Sequence, residues 1–508
     1  VIKQHDNWLL FFALALYVAL VAWLVERAPP FTGTDPAVHL WDGLIYQNLV
    51  HWLPNFDLNQ AIQILGRSEA FPLLRPSGIY PPFVSIIMAA SYEVFGRSVQ
   101  SGIYANFAFL GILGFSVFNI AKEFAGRMAA WIAVGGLLLT PSLLEQTTEA
   151  MVELPTAAML ALLLVTVFRS NFFAVKKYSL AAGLVFGLGL LTKLNFVIFA
   201  TPVIIFAFIQ CENAAARKNA LYGASLAFVI GLAYFGPLLP VLLPKYAFYA
   251  AESAAGNIVD SLADRLVFYF WSLPKLFTFI HIGLILFGLY AIWSKWRTPK
   301  GGLLAVSVFA PVIIYILIPN AQDRFIFPLL GQVCVLSSLA LVTINKSLYR
   351  SLVVGICAAG LSVLFIKCAL DRSQLRPDEF IATNFILDEI ERTFQSSPQG
   401  SSSVKDLAII SDSYFLTAFR MRYASALRDL DLNVPFLNTF RAIDFENFAK
   451  RLNQLEFIVA PTQGFTKDST RPLTIDQYEY FRRHQEDFTP LATLQVEGTE
   501  YALYGRRI

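Results

Sequence analysis

About eleven apolar runs, each near the length of a membrane-crossing helix, fill the chain between residues 8 and 369. They lie at roughly 8–25, 100–121, 128–144, 152–168, 178–192, 195–210, 220–243, 275–294, 302–319, 325–344 and 350–369. A helix needs about 20 apolar residues to cross a hydrocarbon core about 30 Å thick. In that core every backbone N–H and C=O must be satisfied within the protein, which leaves helices as the form such runs can take. The expected fold is therefore an α-helical polytopic membrane protein. Charged residues make up only 15% of the 508, against about 25% in soluble domains. Residues from about 370 onward return to soluble composition, which divides the chain into a transmembrane module, 1–369, and a soluble domain, 370–508.

The net charge of +3 gives no argument for nucleic acid. Cys211, Cys334, Cys357 and Cys368 all fall in or beside apolar runs, so neither a disulfide framework nor a CxxC metal site is expected. The first run is about 18 residues long and ends in Glu26-Arg27-Ala28-Pro29-Pro30, without a small-residue cleavage site. It reads as an uncleaved anchor rather than a signal peptide.

The stretch from Pro81 to Phe95 is shorter and carries Glu93. If it does not span, alternate connections hold Lys122 and Arg127, then Arg169, Lys176 and Lys177, then Arg217 and Lys218, then Lys295, Arg297 and Lys300, then Lys346 and Arg350. Cytoplasmic loops carry such an excess of Lys and Arg. Residues 81–95 are thus expected to be interfacial or re-entrant, with the N-terminus cytoplasmic. The long first loop, 26–99, and the C-terminal domain are then extracytoplasmic.

That first loop contains a helix expected from Pro36 to about Trp52, with Asp35 as N-cap and Pro36 at its first position. Asp35, His39, Asp42 and Tyr46 follow at spacings of four, three and four, along one side. Val38, Trp41 and Ile45 lie on another, as in an amphipathic helix on the membrane surface. The plainer reading is a solvated polar face. Glu145, Glu149 and Glu153 are spaced to share one helix face at the entry to the fourth apolar run. Carboxylates at a membrane boundary are costly and point to function; the alternative is a water-exposed loop helix. Arg75 and Tyr80 precede Pro81-Pro82, Lys193 falls in a tight turn, and Arg324 opens the tenth run. Such cations either snorkel to headgroups or bind phosphate. No P-loop, dinucleotide glycine motif, HExxH, GxSxG or CxxC is present.

Together these pieces resemble the GT-C superfamily of membrane glycosyltransferases over about residues 30–344, in its protein O-mannosyltransferase and lipid A aminoarabinose transferase branch. The resemblance rests on the acid-bearing first-loop helix and on Tyr80-Pro81-Pro82 before a short helix ending in Phe95-Gly96. It continues in Thr140-Pro141-Ser142 with Glu153, in Leu191-Thr192-Lys193, and in Arg324-Phe325 followed by Pro328. It implies transfer of a sugar from a polyprenyl-phosphate carrier to a lipid, glycan or protein acceptor, in the multi-pass setting of a bacterial inner membrane. A first-loop aspartate would be the base, and cations would hold the departing phosphate. The branch carries Asp-Glu followed by Tyr; here Asp42-Gly43 with Tyr46 lacks the Glu. Asp35-Pro36 is similar to the Asp-Pro of oligosaccharyltransferase catalytic subunits. Both aspartates stay candidates, with Asp35 preferred for its place at the helix start. The resemblance implies Asp35, Asp42 and Glu153 for catalysis. For substrate it implies His39, Tyr46, Arg75, Tyr80, Glu149, Lys193 and Arg324. The carboxylates could hold a divalent cation; no other cofactor is implied. A transporter or lipid flippase is the alternative, but it would show repeated halves or broken mid-membrane helices, and a non-catalytic scaffold is a third reading.

The C-terminal domain reads as α/β. Strands are expected at 407–411 and 457–460, helices at 378–394 and 444–454, and a terminal hairpin over 491–504.

Overall fold

The computed structural model describes residues 2–27, 34–55, 80–257, 259, 261–344, 346–373, 381–396, 405–410, 418–428, 430, 432–434, 455–462, 472–496 and 499–507. Its helices, in chain order, are α1 (Ile2–Arg27), α2 (Thr34–Trp52), α3 (Phe83–Phe95), α4 (Val99–Leu138), α5 (Pro141–Thr148) and α6 (Glu153–Ser170). They continue with α7 (Lys176–Leu190), α8 (Phe196–Ile209), α9 (Ala214–Asn257), α10 (Leu262–Trp296) and α11 (Pro299–Leu317). After a 3-10 segment (Asp323–Leu329) come α12 (Leu330–Val342), α13 (Ser347–Ser373), α14 (Ile381–Ser396), α15 (Ala418–Leu427) and α16 (Pro472–Arg483).

Among the described residues, eight helices are long and apolar enough to cross a membrane. One of them, α4, is really two helices, bent where Ala125 leaves helical geometry and Gly126 takes φ 80°. Glycine adopts that left-handed backbone without steric cost, and the bend falls between Lys122 and Arg127. The shorter α7 and α8 complete the correspondence, so each of the eleven apolar runs lies on helix. Helix α3 has 13 residues, about 20 Å at 1.5 Å each, too short for the hydrocarbon core.

The chain forms two compact units. The first comprises residues 1–28, 78–84 and 103–374. Its basic connections gather at one end of the bundle. Asp6, almost fully buried, meets Lys122 at 3.1 Å and Arg127 at 2.6 Å, and Lys300 pairs with Glu123. Deep between helices, His281 of α10 joins Ser337 of α12 through Nδ1 at 3.0 Å and Thr140 through Nε2 at 3.1 Å. These bonds satisfy buried polar groups that would otherwise be costly.

The second unit comprises residues 29–77, 85–102 and 375–508. It holds a five-stranded sheet in the order β2-β1-β3-β5-β4, with β1 (Lys405–Ile409), β2 (Leu432–Asn433), β3 (Phe457–Pro461), β4 (Phe488–Val496) and β5 (Thr499–Arg506). Strands β1, β2 and β3 are parallel, and β5 and β4 close the sheet as an antiparallel hairpin. Alternate residues feed two cores. Leu407, Ile409, Phe457 and Val459 face one side with Ile386, Leu387 and Ile390 of α14. Ala408, Ile410, Ile458 and Ala460 face the other with Phe481 of α16. Burial on both faces explains why these strands read as unbroken apolar runs. The expected helix over 444–454 lies outside the described residues.

Candidate functional site

Two of the expected polar groups are built within the first unit. Glu153 opens α6 and is 1% exposed. Lys193, in the turn between α7 and α8, donates to its Oε1 at 2.8 Å. Arg324 Nε lies 3.9 Å from the same oxygen and donates to Gln322 Oε1 at 2.9 Å. Asp323 accepts from the Arg324 backbone N–H at 2.8 Å and pairs with Lys275. The cluster therefore brings three cations against two carboxylates. Phe325 floors it: Lys193 Nζ sits 5.6 Å from its ring centroid, and Tyr315 stacks on it at 5.5 Å. Asn195 Nδ2 in turn donates to the Tyr315 hydroxyl at 2.9 Å. The backbone N–H of Phe83 donates to the Leu191 carbonyl at 2.9 Å, which ties the Tyr80-Pro81-Pro82 segment to the Lys193 turn. Tyr80 itself is half-buried. Arg75 lies outside the described residues.

The three glutamates do not share a helix face, contrary to the expectation from spacing. Helix α5 ends at Thr148, Glu149 is extended (φ −117°, ψ 147°), and a new helix begins at Glu153. Pro155 is the cause. Its ring would clash with the carbonyl of residue 151 in a continuous helix, and it has no N–H to donate there. Carbonyls freed at the end of α5 are collected by Asn106, whose Nδ2 reaches Gln146 O, Thr147 O and Glu149 O. Glu149 turns instead to Arg372 at 2.7 Å. Burial raises the Glu149 carboxyl above its ordinary range, and the Arg372 charge opposes the rise.

An apolar cavity of about 660 Å³ lies between α7, α8 and α9, lined by Phe186, Ile205, Phe208, Ala227 and Leu239 among others. One of its lining residues is Leu190, three positions before Lys193.

The first-loop residues belong to the second unit. Asp35 stands in the first turn of α2 rather than outside it as a cap, and is half-buried. His39 and Asp42 are each 1% exposed, and Tyr46 is half-buried. Val38, Trp41 and Ile45 are buried as well. The helix is therefore enclosed on both sides through its first three turns, so its polar side is not the solvated face and its apolar side not the open face that the spacing suggests. Two partners enclose it within the unit. Helix α15 packs against α2, and α3 approaches at Gly43, where an added Cβ would lie 2.8 Å from Met88 Cβ. The Tyr92 hydroxyl of α3 donates to Leu40 O at 3.2 Å. Sequence spacing did not reveal these neighbours, because they come from segments some 50 to 380 positions away. Among the described residues, no group of three or more His, Cys, Asp or Glu side chains is placed to hold a metal ion.

The fold has solved counterparts. ArnT from Cupriavidus metallidurans, bound to undecaprenyl phosphate, superposes with a TM-score of 0.64 at 12% identity, over 98% of each chain. The chain has the GT-C fold. The Archaeoglobus fulgidus oligosaccharyltransferase AglB, in complex with an inhibitory peptide and a dolichol-phosphate, matches with a TM-score of 0.55 at 14% identity, over 89% of this chain and 69% of that one. The arabinofuranosyltransferase AftD from Mycobacteria matches at 0.56 and 12% identity, over 97% of this chain and 40% of that one. Residues 80–240 match the family model of dolichyl-phosphate-mannose-protein mannosyltransferases. No curated protein matches the chain by sequence.

Proposed function

We propose that the protein is a glycosyltransferase that moves a hexosyl or pentosyl group from a polyprenyl-phosphate carrier to a lipid, glycan or protein acceptor at the extracytoplasmic membrane face. One observation carries the reading most. Buried Glu153 fixes Lys193 and stands beside Arg324, in a cluster whose cations outnumber its carboxylates by one. A sugar phosphodiester carries one negative charge, and the departing lipid phosphate carries more. Cations held in place before the reaction stabilise that developing charge without reorganising. The apolar cavity between α7, α8 and α9, lined in part by Leu190 three positions before Lys193, suits the isoprenoid chain of such a donor. The fold it shares with ArnT and AglB, solved with undecaprenyl phosphate and dolichol-phosphate, agrees with this donor class.

In the step, the bond from the sugar's anomeric carbon to the phosphate oxygen breaks, and a bond to the acceptor oxygen or nitrogen forms. The electron pair leaves on the phosphate oxygen, whose charge Lys193 and Arg324 stabilise. The acceptor's proton passes to Asp35, whose partial exposure leaves it reachable. Glu153 holds Lys193 in position. Asp42, buried two turns further along α2, anchors the helix together with His39. Tyr46, Tyr80, Arg75 and Glu149 are assigned to substrate contact or its support.

Transfer of radiolabelled sugar from a polyprenyl-phosphate donor in proteoliposomes tests this. Asp35→Asn should lower turnover by about 10²–10⁴ while leaving donor binding intact, and Asp42→Asn should act more mildly and mainly through stability. The reverse order moves the base to Asp42. Full activity in both variants removes the first loop from the chemistry. Carrier translocation without sugar transfer would make the protein a flippase instead.

A further inference from the structure

The second unit, among its described residues, buries one carboxylate and one guanidinium almost completely. Asp42 on α2 is 1% exposed and Arg420 on α15 is 0% exposed. The two helices pack on each other, although one belongs to the first loop and the other to the C-terminal domain. Neighbouring contacts set the register between them. The Arg422 guanidinium lies 5.1 Å above the Trp41 ring. Tyr423, fully buried, lies beside Tyr92, whose own hydroxyl donates to Leu40 O. Arg420 and Tyr423 are three residues apart and so share a face of α15. Asp42 is the next residue after Trp41, and Arg420 lies two residues before Arg422, so both stand within one turn of this contact.

We infer that Arg420 is the electrostatic partner of Asp42 and a positioning residue for the glycosyl transfer proposed above, on which its kinetic consequence rests. A guanidinium or carboxylate buried alone is strongly unfavourable, whereas a close pair is compensated. Arginine's planar fork also suits a carboxylate better than lysine's point charge does. Asp42 lies seven residues after Asp35, on the same helix. Fixing it therefore fixes where Asp35 is held, and makes the C-terminal domain a working part of the enzyme.

The test uses the full-length purified protein. A double-mutant cycle of Arg420→Gln and Asp42→Asn, read by unfolding, should show strong coupling. Each single change destabilises, and the second adds at least tenfold less in the unfolding constant when the first is present. Additive effects overturn the pairing, and this readout needs no sugar transfer, so it stands apart from the function assay. In proteoliposomes, Arg420→Gln should lower kcat at least tenfold with the donor KM unchanged, and Arg420→Lys should restore part of it. An unchanged kcat, or a loss confined to KM, overturns the positioning role. Where Arg420→Gln does not accumulate, the cycle runs with Arg420→Met, which also removes the charge, and additivity there has the same meaning.

Discussion

Glu153 illustrates how a single buried charge organises its surroundings. At 1% exposure it needs a cation, and Lys193 supplies one at 2.8 Å while keeping 15% of its own side chain open. Breaking a buried pair by removing one partner costs about 3–5 kcal/mol, because the other charge stays buried. Lys193→Met should therefore lower the melting temperature in detergent as well as weaken donor affinity. Adding Glu153→Gln to it should recover much of the stability and none of the donor affinity. Arg324→Met, whose side chain is about one-third exposed, should weaken donor binding with a smaller stability effect. If Lys193→Met and Arg324→Met both leave donor binding unchanged, neither residue is a phosphate ligand. Lys193 and Arg324 were legible in the sequence as cations beside apolar runs. The aromatic floor of Tyr315 and Phe325 was not, since a tyrosine near the end of an apolar helix has the same local signature whether it lines a site or a lipid interface.

At the scale of elements, close approach decides more than propensity does. Gly43 sits in α2, where an added Cβ would be 2.8 Å from Met88 Cβ and 3.0 Å from the Tyr92 ring. Overpacking of this kind costs about 1–3 kcal/mol. Gly43→Ala should thus lower the unfolding temperature and reduce turnover, because α2 must shift away from α3, while Met88→Gly, which removes the Cβ in the way, should in the same chain relieve part of the stability loss. Failure of that rescue would show that α3 does not set the position of α2. Helix existence was readable along the whole apolar region, and so were strands β1 and β3, because burial on both faces leaves an uninterrupted apolar run. The break between Glu149 and Glu153 was misread. A spacing of four is a helical signal only where the helix is continuous, and Pro155, three residues inside α6, rules that out. The enclosure of α2 escaped for a different reason. Its neighbours α3 and α15 are remote in sequence, and a Trp or Val on a polar-flanked helix looks alike against lipid and against protein.

Across the whole molecule, the distribution of charge is the remaining determinant of how the chain sits in a bilayer. Lys122, Arg127 and Lys300 collect at one end of the first unit, each with a carboxylate partner. Lys346 and Arg350 flank the start of α13. Short basic connections of this kind are retained on the cytoplasmic side. We therefore expect the bundle end carrying Glu153, Lys193 and Arg324 to be extracytoplasmic, where polyprenyl-linked sugars would meet acceptors outside the cytoplasm. Single cysteines at Ser68, Ser401 and Ser347 test this, in a background with Cys211, Cys334, Cys357 and Cys368 replaced. An impermeant maleimide added outside intact cells should label the first two, and should reach Ser347→Cys only after permeabilisation. Labelling of positions 68 and 401 from opposite sides would break the link between the first loop and the C-terminal domain. Labelling of Ser347→Cys alone from outside would invert the protein and place the Lys193 cluster in the cytoplasm, on the wrong side for the reaction proposed.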